Sequence, residues 1–522
     1  MALKVARFPM TGGLCVDRQA TTVPPTVWTA ASSIDFRNGV ARRCTGYAAI
    51  GGNMTVCAPR FLLPANAGEQ ANLLASASLV FYAGTPYAGA PLQIGAVNTS
   101  AAIHVNVTPA PWVAGPGVAG QWTGGYVNRI PFLNHPGYAP VQGLAAISAG
   151  TPFINQLDWV AVYGAGVTAL AMRSFNRHLF ALGQVTLAGP YYDGDFLAWS
   201  NAFTGLAWPA TPWNPVAGSQ AGNVVLTGGG ALVDAVPLGQ ILAIYKQRAI
   251  WGARYVGGNY VYDFKQLVDG VGALSQNCIA AAGNRHYFLT HDDVMVWDGS
   301  SDPISAIDGK TKNVLVNQIT DANYANCWAA YMPRQREVWV CIPASGSTYP
   351  SLAIVIDVDT GYCGVRTFSS IAHAAYEREG TAVLTGKQGN MVLAYHDASG
   401  AGNGRLFQMD SADTANGSGL VSQVSRQYLD LGYPGVVKKV LWVRPWVKPL
   451  SGVPVITCQV GGTQRADQSI SYTGSGTYTT GTTDKVDVIV NGRFLSFNFA
   501  ATSGVGWEIS GFDVGYELGG ME

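Results

Sequence analysis

The sequence predicts an all-β chain: a β-propeller core with an irregular β insertion and a C-terminal β-rich unit. Three observations carry this. Helical periodicity, with apolar residues at i, i+3, i+4 and i+7, is cut by Gly or Pro wherever it starts. Short β-branched and aromatic runs bounded by turn residues stand in its place, among them "RHLFALG", "AIWGARYV", "VMVWDG" and "LAIVIDV". From Ser174 to Asp410 such runs come in pairs with short connections, and the second member ends in an aromatic near an Asp. Repeated four-stranded sheets with these endings are the mark of a propeller. The repeat is too diverged to give a blade count, and a pair of β-sandwiches is the rival.

Four regions follow in order. Residues 1–61 supply N-terminal strands to the core. Residues 62–170 are rich in Ala, Gly and Pro with scattered Trp, as in "TPAPWVAGPGVAGQWTGGYV", and read as a nearly uncharged insertion. Residues 171–426 form the propeller-like core. Residues 427–522 form a C-terminal β unit that closes it, with alternating "KKVLWVRPWV" and a "VNG" turn before "RFLSFNF".

The 522 residues carry no net charge, and only 12% of them are charged, about half the usual share. No lysine lies between Lys4 and Lys246, and from Phe61 to Leu157 only Glu69 and Arg129 are charged. A lone soluble subunit normally covers itself with mixed charge, so a surface this bare is expected to be covered by partner subunits; a merely uncharged surface rich in Ser, Thr, Asn and Gly is the alternative. A chain this long buries roughly three quarters of its surface without staples. The eight cysteines are scattered, with no C-x-x-C, and are expected as reduced, buried thiols in a cytoplasm. No signal peptide or membrane-spanning run is evident, and no stable membrane association is expected.

The stretch "HYFLTHDDVMVWDG", His286 to Gly299, gathers His286, His291, Asp292, Asp293 and Asp298. It reads either as a metal or acid–base site or as two strands joined by a polar turn. Strand alternation and the turn chemistry of Asx residues favour the hairpin. The pairs Asp193/Asp195, Asp292/Asp293 and Asp357/Asp359 could serve a glycosidase, which needs two carboxyls about 5–10 Å apart. Their "DGD" and "DVDTG" settings point to turns instead. Neither a G-x-S-x-G elbow nor a G-x-x-x-x-G-K-[ST] loop is present. The expectation is a protein that is not an enzyme, with no catalytic residue, metal or cofactor. Arg42, Arg43, Lys438 and Lys439 are the densest basic spots; repeated around a ring they could face a channel or passing DNA without reading sequence.

Several stretches in fixed order give a resemblance. "DFRNGVARRCTGYAAI", "DGDFLAWSNAFTGLAWPATPWN", the run from "LAIYKQRAIWGARYV" through "YFL" to "WDG", and the closing "KKVLWVRPWV" and "NGRFLSFNFA…WEISGFDVGYELGG" are similar to the tail-nozzle (tail tubular, packaged-DNA-stabilisation) proteins of short-tailed bacteriophages. The resemblance covers Gly39–Tyr47 and about Met172–Gly520. It implies a propeller-containing subunit of a virion tail, assembled in the host cytoplasm. Six copies would form a hollow cone below the portal and adaptor rings. That cone would retain packaged double-stranded DNA, carry fibres or spikes and conduct genome ejection. The other reading of the residues is a propeller that acts on glycans, as an enzyme or a lectin-like binder.

Overall fold

The computed structural model describes residues 3–65, 79–87, 92–98, 103–112, 120–143, 147, 151–164, 166–186, 192–205, 208–258, 260–319, 322–376, 391–400, 403–502 and 504–520. Among them six separate four-stranded antiparallel sheets and the first four strands of a ten-stranded sheet follow one another along the chain. They make a β-propeller of seven blades. Blade 1 comprises Cys57–Ala65, Leu79–Pro86, Gln93–Asn98 and Ile103–Asn106. Blade 2 is Thr123–Val127, Ile130–His135, Tyr138–Gln142 and Ile154–Asn155. Blade 3 is Val167–Phe175, His178–Thr186, Tyr192–Trp199 and Gly222–Val225; blade 4 is Leu232–Leu238, Ile241–Lys246, Ala249–Tyr255 and Tyr262–Asp269. Blade 5 is Ile279–Ala282, Arg285–Leu289, Val294–Trp297 and Ile304–Ser305; blade 6 is Trp328–Met332, Glu337–Ile342, Leu352–Asp357 and Cys363–Thr367. Blade 7 takes Ile371–Tyr376, Met391–Tyr395 and Arg405–Ala412, and its outermost strand is Gly46–Asn53 from the N-terminal region.

The first strand of each blade packs on the first strand of the next, and that of blade 7 packs on that of blade 1. These strands therefore surround a common axis. Local chemistry sets the hairpins. Blades 2 and 3 turn from first to second strand through Asn128-Arg129 and Asn176-Arg177, where φ is positive at both positions (44° and 74°, 46° and 66°). That is the type I′ geometry whose twist matches the flanking strands, and Asn adopts it readily. The "HYFLTHDDVMVWDG" stretch is a hairpin of blade 5: the Thr290 amide donates to the Asp293 carbonyl at 2.8 Å, closing the turn between Leu289 and Val294. Asp298 then accepts from the Ser300 amide (2.9 Å) and hydroxyl (2.8 Å), starting the next turn.

The predicted division at 62–170 is corrected. Those residues are not an irregular insertion but most of blade 1, all of blade 2 and the start of blade 3. Small residues and strand prolines (Pro59, Pro64, Pro131, Pro140) hid their alternation, while Phe61, Phe81, Ile94, Trp122, Leu133 and Val141 form one buried core between the two blades.

The strands Lys4–Pro9, Ala30–Ser32, Ile34–Arg37 and Val40–Arg43 do not join the propeller core as predicted from residues 1–61. They enter a second unit with the C-terminal strands. One of its layers is Ala30–Ser32, Ser422–Leu429, Phe494–Ala501, Val455–Thr463 and Gly474–Thr479. The other holds Ile34–Arg37, Val40–Arg43, Trp507–Leu518, Lys438–Pro449 and Val486–Gly492, with Lys4–Pro9 paired on Trp507–Leu518. Trp28, Phe497, Phe499, Trp507 and Phe512 fill the space between the layers, as in a β-sandwich. Through Val365 and Ile34 this layer continues directly into blade 6.

Candidate functional site: the propeller axis and a cleft beside it

Each blade returns its first strand to the axis, so residues far apart in sequence meet there. Arg173 of blade 3 donates from Nε and Nη2 to both carboxylate oxygens of Asp234 of blade 4, at 2.6 and 2.7 Å. Its Nη2 also reaches Asn277 Oδ1 just before blade 5 (2.8 Å), and its Nη1 reaches the Gly124 carbonyl of blade 2 (3.3 Å). Asp234 accepts further bonds from the amides of Ala235 (2.8 Å) and Asn277 (2.9 Å). A polar cavity of about 350 Å³ opens here, lined also by Ser174, Pro237 and His373.

His373 takes the Leu62 amide on Nδ1 (3.3 Å) and packs against the Phe61 ring at a 38° tilt, with centroids 4.5 Å apart. Burial, and then the Arg173 charge, push its pKa down to about 3, so it stays neutral with its proton on Nε2. Asp234 is buried and bound bidentately to a guanidinium, with two backbone amides besides. Such a carboxylate is a strut that ties blades 2 to 5 together; a general base needs lone pairs free to take a proton, and four hydrogen bonds already occupy these. Sequence reading missed this group. The signal was there: Arg173 and Asp234 are single charges inside apolar first strands, "VTALAMRSF" and "LVDAVPL".

A larger cleft, about 740 Å³, lies between blades 4 and 5 at the end where inter-blade connections enter. Gln247 and Arg248 supply one wall and the turn Thr290–Asp293 another. Lys312 on the short helix Lys312–Gln318 and Tyr324 close it. Its floor is the connection Gly270–Leu274. A Cβ on Gly272 would sit 1.9 Å from the Lys246 carbonyl oxygen, so only glycine lets this segment press against blade 4. The Ala273 amide then pins it to that same carbonyl at 3.0 Å. Asp293 is held by Lys312 Nζ (2.7 Å) and Ser305 Oγ (2.7 Å).

The singled-out residues separate. His286 is fully buried between blades 4 and 5, bonded to Tyr245 Oη (2.9 Å) and the Pro237 carbonyl (3.0 Å), whereas His291 is exposed on the cleft turn. They do not converge on one ligand, and among the described residues no group of three or more His, Cys, Asp or Glu could hold a metal. Asp193 accepts the Asp195 amide (3.1 Å), and Asp195 pairs with Lys246 (2.7 Å). Asp357 accepts the amides of Asp359 and Thr360, and Asp359 pairs with Arg336. These carboxylates serve turns and ion pairs.

The channel-facing assignment is corrected for two of its four residues. Arg43 is buried and donates to the Asp413 carbonyl. Lys438 is fully buried on the Arg493 carbonyl, and burial lowers its pKa to about 8. Strand alternation turns one of two adjacent cations inward; Arg42 is half-buried and Lys439 exposed.

No protein-family model and no curated protein matches the chain. Among solved structures, it is similar to the PQQ-bound aldose sugar dehydrogenase of Streptomyces coelicolor at 12% identity and a TM-score of 0.31, covering 68% of this chain and 95% of that one. A fungal alcohol oxidase of the AA5 family, in complex with copper, matches at 9% identity and a TM-score of 0.39, covering 90% and 93%. The xyloglucan PUL GH43B of Bacteroides ovatus matches at 9% identity and a TM-score of 0.26, covering 88% and 98%. Identities and scores this low carry nothing about substrate or cofactor. One expectation is corrected: that the chain is not an enzyme rested on missing motifs alone. The chain is an all-β, propeller-type protein, and a missing motif is no ground for excluding catalysis.

Proposed function

We propose that the chain is an assembly subunit of a short-tailed phage nozzle, packed side by side with copies of itself in a ring that extends a DNA channel. The observation that carries this reading is the bare flank of blades 1 and 2. From Cys57 to Gly166 the sequence has only Arg60, Glu69, Arg129 and Asp158 as charged residues. Ile103, Ile154 and Leu157 stand exposed on these two blades and the helix that follows them. A flank without charge resists packing against another protein less than a charged one, because few ions must be desolvated. The "DFRNGVARRC" stretch fits a load-bearing role too, since Asp35 and Arg37 pair with Arg366 and Glu337 of blade 6. Light scattering and negative-stain imaging of the purified chain test the reading. Closed rings are expected; a monomer at every concentration, alone and with portal and adaptor proteins, overturns it.

A second reading, a propeller that binds or acts on glycans, is favoured by one observation: a cleft of about 740 Å³ with mixed polar walls and an exposed tyrosine. Ring assembly and glycan binding are separable by experiment, because the first concerns blades 1 and 2 and the second blades 4 and 5.

A further inference from the structure

We infer that the cleft between blades 4 and 5 is a binding site for a neutral oligosaccharide. The inference goes beyond the nozzle reading and takes from the second reading only its ligand class; what it adds is the place and the charge of the ligand. Charge comes first. Lys312 and Asp293 neutralise each other at 2.7 Å, which leaves Arg248 and Asp292 as one cation and one anion on the walls. An anionic ligand would meet Asp292 and Asp293, and a cationic one Arg248 and Lys312. Either would strip water from a like charge, which costs free energy.

Hydroxyl groups suit such walls, because each both donates and accepts. Arg248 and the Gln247 amide are donors, Asp292 is an acceptor, and Gln247 also accepts; the side chains of Gln247, Arg248 and Asp292 are exposed to the cleft. Tyr324 is 42% exposed at the rim. An exposed aromatic ring gives the C–H face of a pyranose something flat and apolar to lie on, with a phenol at its edge for hydrogen bonding. The volume is in the range of sites that enclose small organic ligands, larger than one sugar ring needs. The floor is rigid, because Gly272 is locked against the Lys246 carbonyl and Ala273 bonded to it. Little ordering cost is therefore left for the ligand to offset. The site also lies off the axis, away from the saturated Arg173–Asp234 strut.

The test is titration calorimetry of the full chain with cellotetraose, maltotetraose, xylotetraose and chitotetraose, with the hexuronate tetramer of alginate as an anionic control. At least one neutral tetrasaccharide should bind, and the alginate tetramer should bind more weakly. Tyr324→Ala and Asp292→Asn should each weaken binding about tenfold, equal to about 1.4 kcal/mol, with unchanged thermal melting as the check on folding. Should either variant melt early, Gln247→Ala and Arg248→Ala replace it in the comparison. If no neutral tetrasaccharide binds at millimolar concentration, the proposal and the glycan reading both fail. If one binds and the cleft variants bind it as tightly, the cleft assignment fails and the glycan reading stands. Tighter binding of the alginate tetramer than of any neutral sugar overturns the charge argument.

Discussion

Arg366 of blade 6 and Asp35 of the sandwich meet at 3.1 Å, both nearly out of contact with solvent. The pair is the centre of a buried charged seam. Arg366 lies 4.4 Å over the Trp339 ring, Cys44 Sγ donates to Asp35 at 3.1 Å, and Arg37 pairs with Glu337 at 2.9 Å. Removing one partner strands the other charge, which typically costs about 3–5 kcal/mol. Asp35→Ala and Arg366→Ala should each lower the unfolding free energy measured by urea titration by that order. Replacing both by apolar residues of matching size should recover most of the loss. A double variant as unstable as the sum of the singles would show that the two residues act independently.

Glu337 gives the seam a pH dependence. Burial first, and then the charge of Asp35, push its carboxyl up to about 7, against the pull of Arg366 and Arg37. An unfolded Glu titrates at about 4.3. Between these values the folded chain holds a proton that the unfolded chain has lost, so this group makes stability fall as pH rises from about 4.3 to about 7. Glu337→Gln should flatten that part of the stability–pH curve measured by chemical unfolding. An unchanged slope would mean another group sets it.

Gly39 is under two constraints at once. Its φ is +78°, next to Asn38 at +50°, and a Cβ there would lie 1.7 Å from the Thr11 carbonyl oxygen. Gly39→Ala should therefore destabilise by more than the roughly 1–2 kcal/mol of left-handed strain alone. Asn38→Gly keeps the turn geometry and should be nearly neutral. Melting temperatures of the two variants check this.

All eight cysteines are unbridged and buried. Burial pushes the thiols of Cys278 and Cys458 up to about 12 and that of Cys363 to about 11. Thiolate is the reactive form, and burial also denies a reagent access to all eight, so a thiol reagent should label none of them in the native protein at neutral pH and all of them in urea. Rapid labelling of the native chain would mean that a blade opens easily.

The all-β class and the blade 5 hairpin were legible because both rest on local chemistry. Val294–Trp297 is a short apolar run, and Asp293 and Asp298 mark its ends by accepting bonds from nearby backbone amides. Blades 1 and 2 were not legible, because Ala, Gly and Pro fill positions where β-branched residues would have shown the period; they read as insertion. The basic pairs misled for a different reason. "ARRC" and "KKV" fix which residues are charged, whereas which one of each pair turns inward depends on register with the distant strand Trp507–Leu518, which pairs with both segments. Arg173 and Asp234 meet for a reason no local pattern contains: every blade restarts at the axis. The cleft was half visible. Its Thr290–Asp293 turn was singled out as polar, but Arg248, Lys312 and Tyr324 come from other connections.

The strand Gly46–Asn53 seals blade 7 against Arg405–Ala412. It is synthesised before any blade, and its partner only after six of them. The last step of ring formation therefore joins the two most distant parts of the propeller, a long-range contact of the kind that slows folding. Until that step occurs, the third strand of blade 7 has an unpaired edge that invites pairing with other chains. Ile34–Arg37 and Val40–Arg43, just upstream, pair in a sandwich layer whose strands Lys438–Pro449, Val486–Gly492 and Trp507–Leu518 follow the last blade, so both closures need the C-terminal part of the chain. A stalled or truncated product cannot complete either one and stays a sticky, open intermediate. The order of the strands along the chain thus makes closure of the ring wait for the last blade strand to be made.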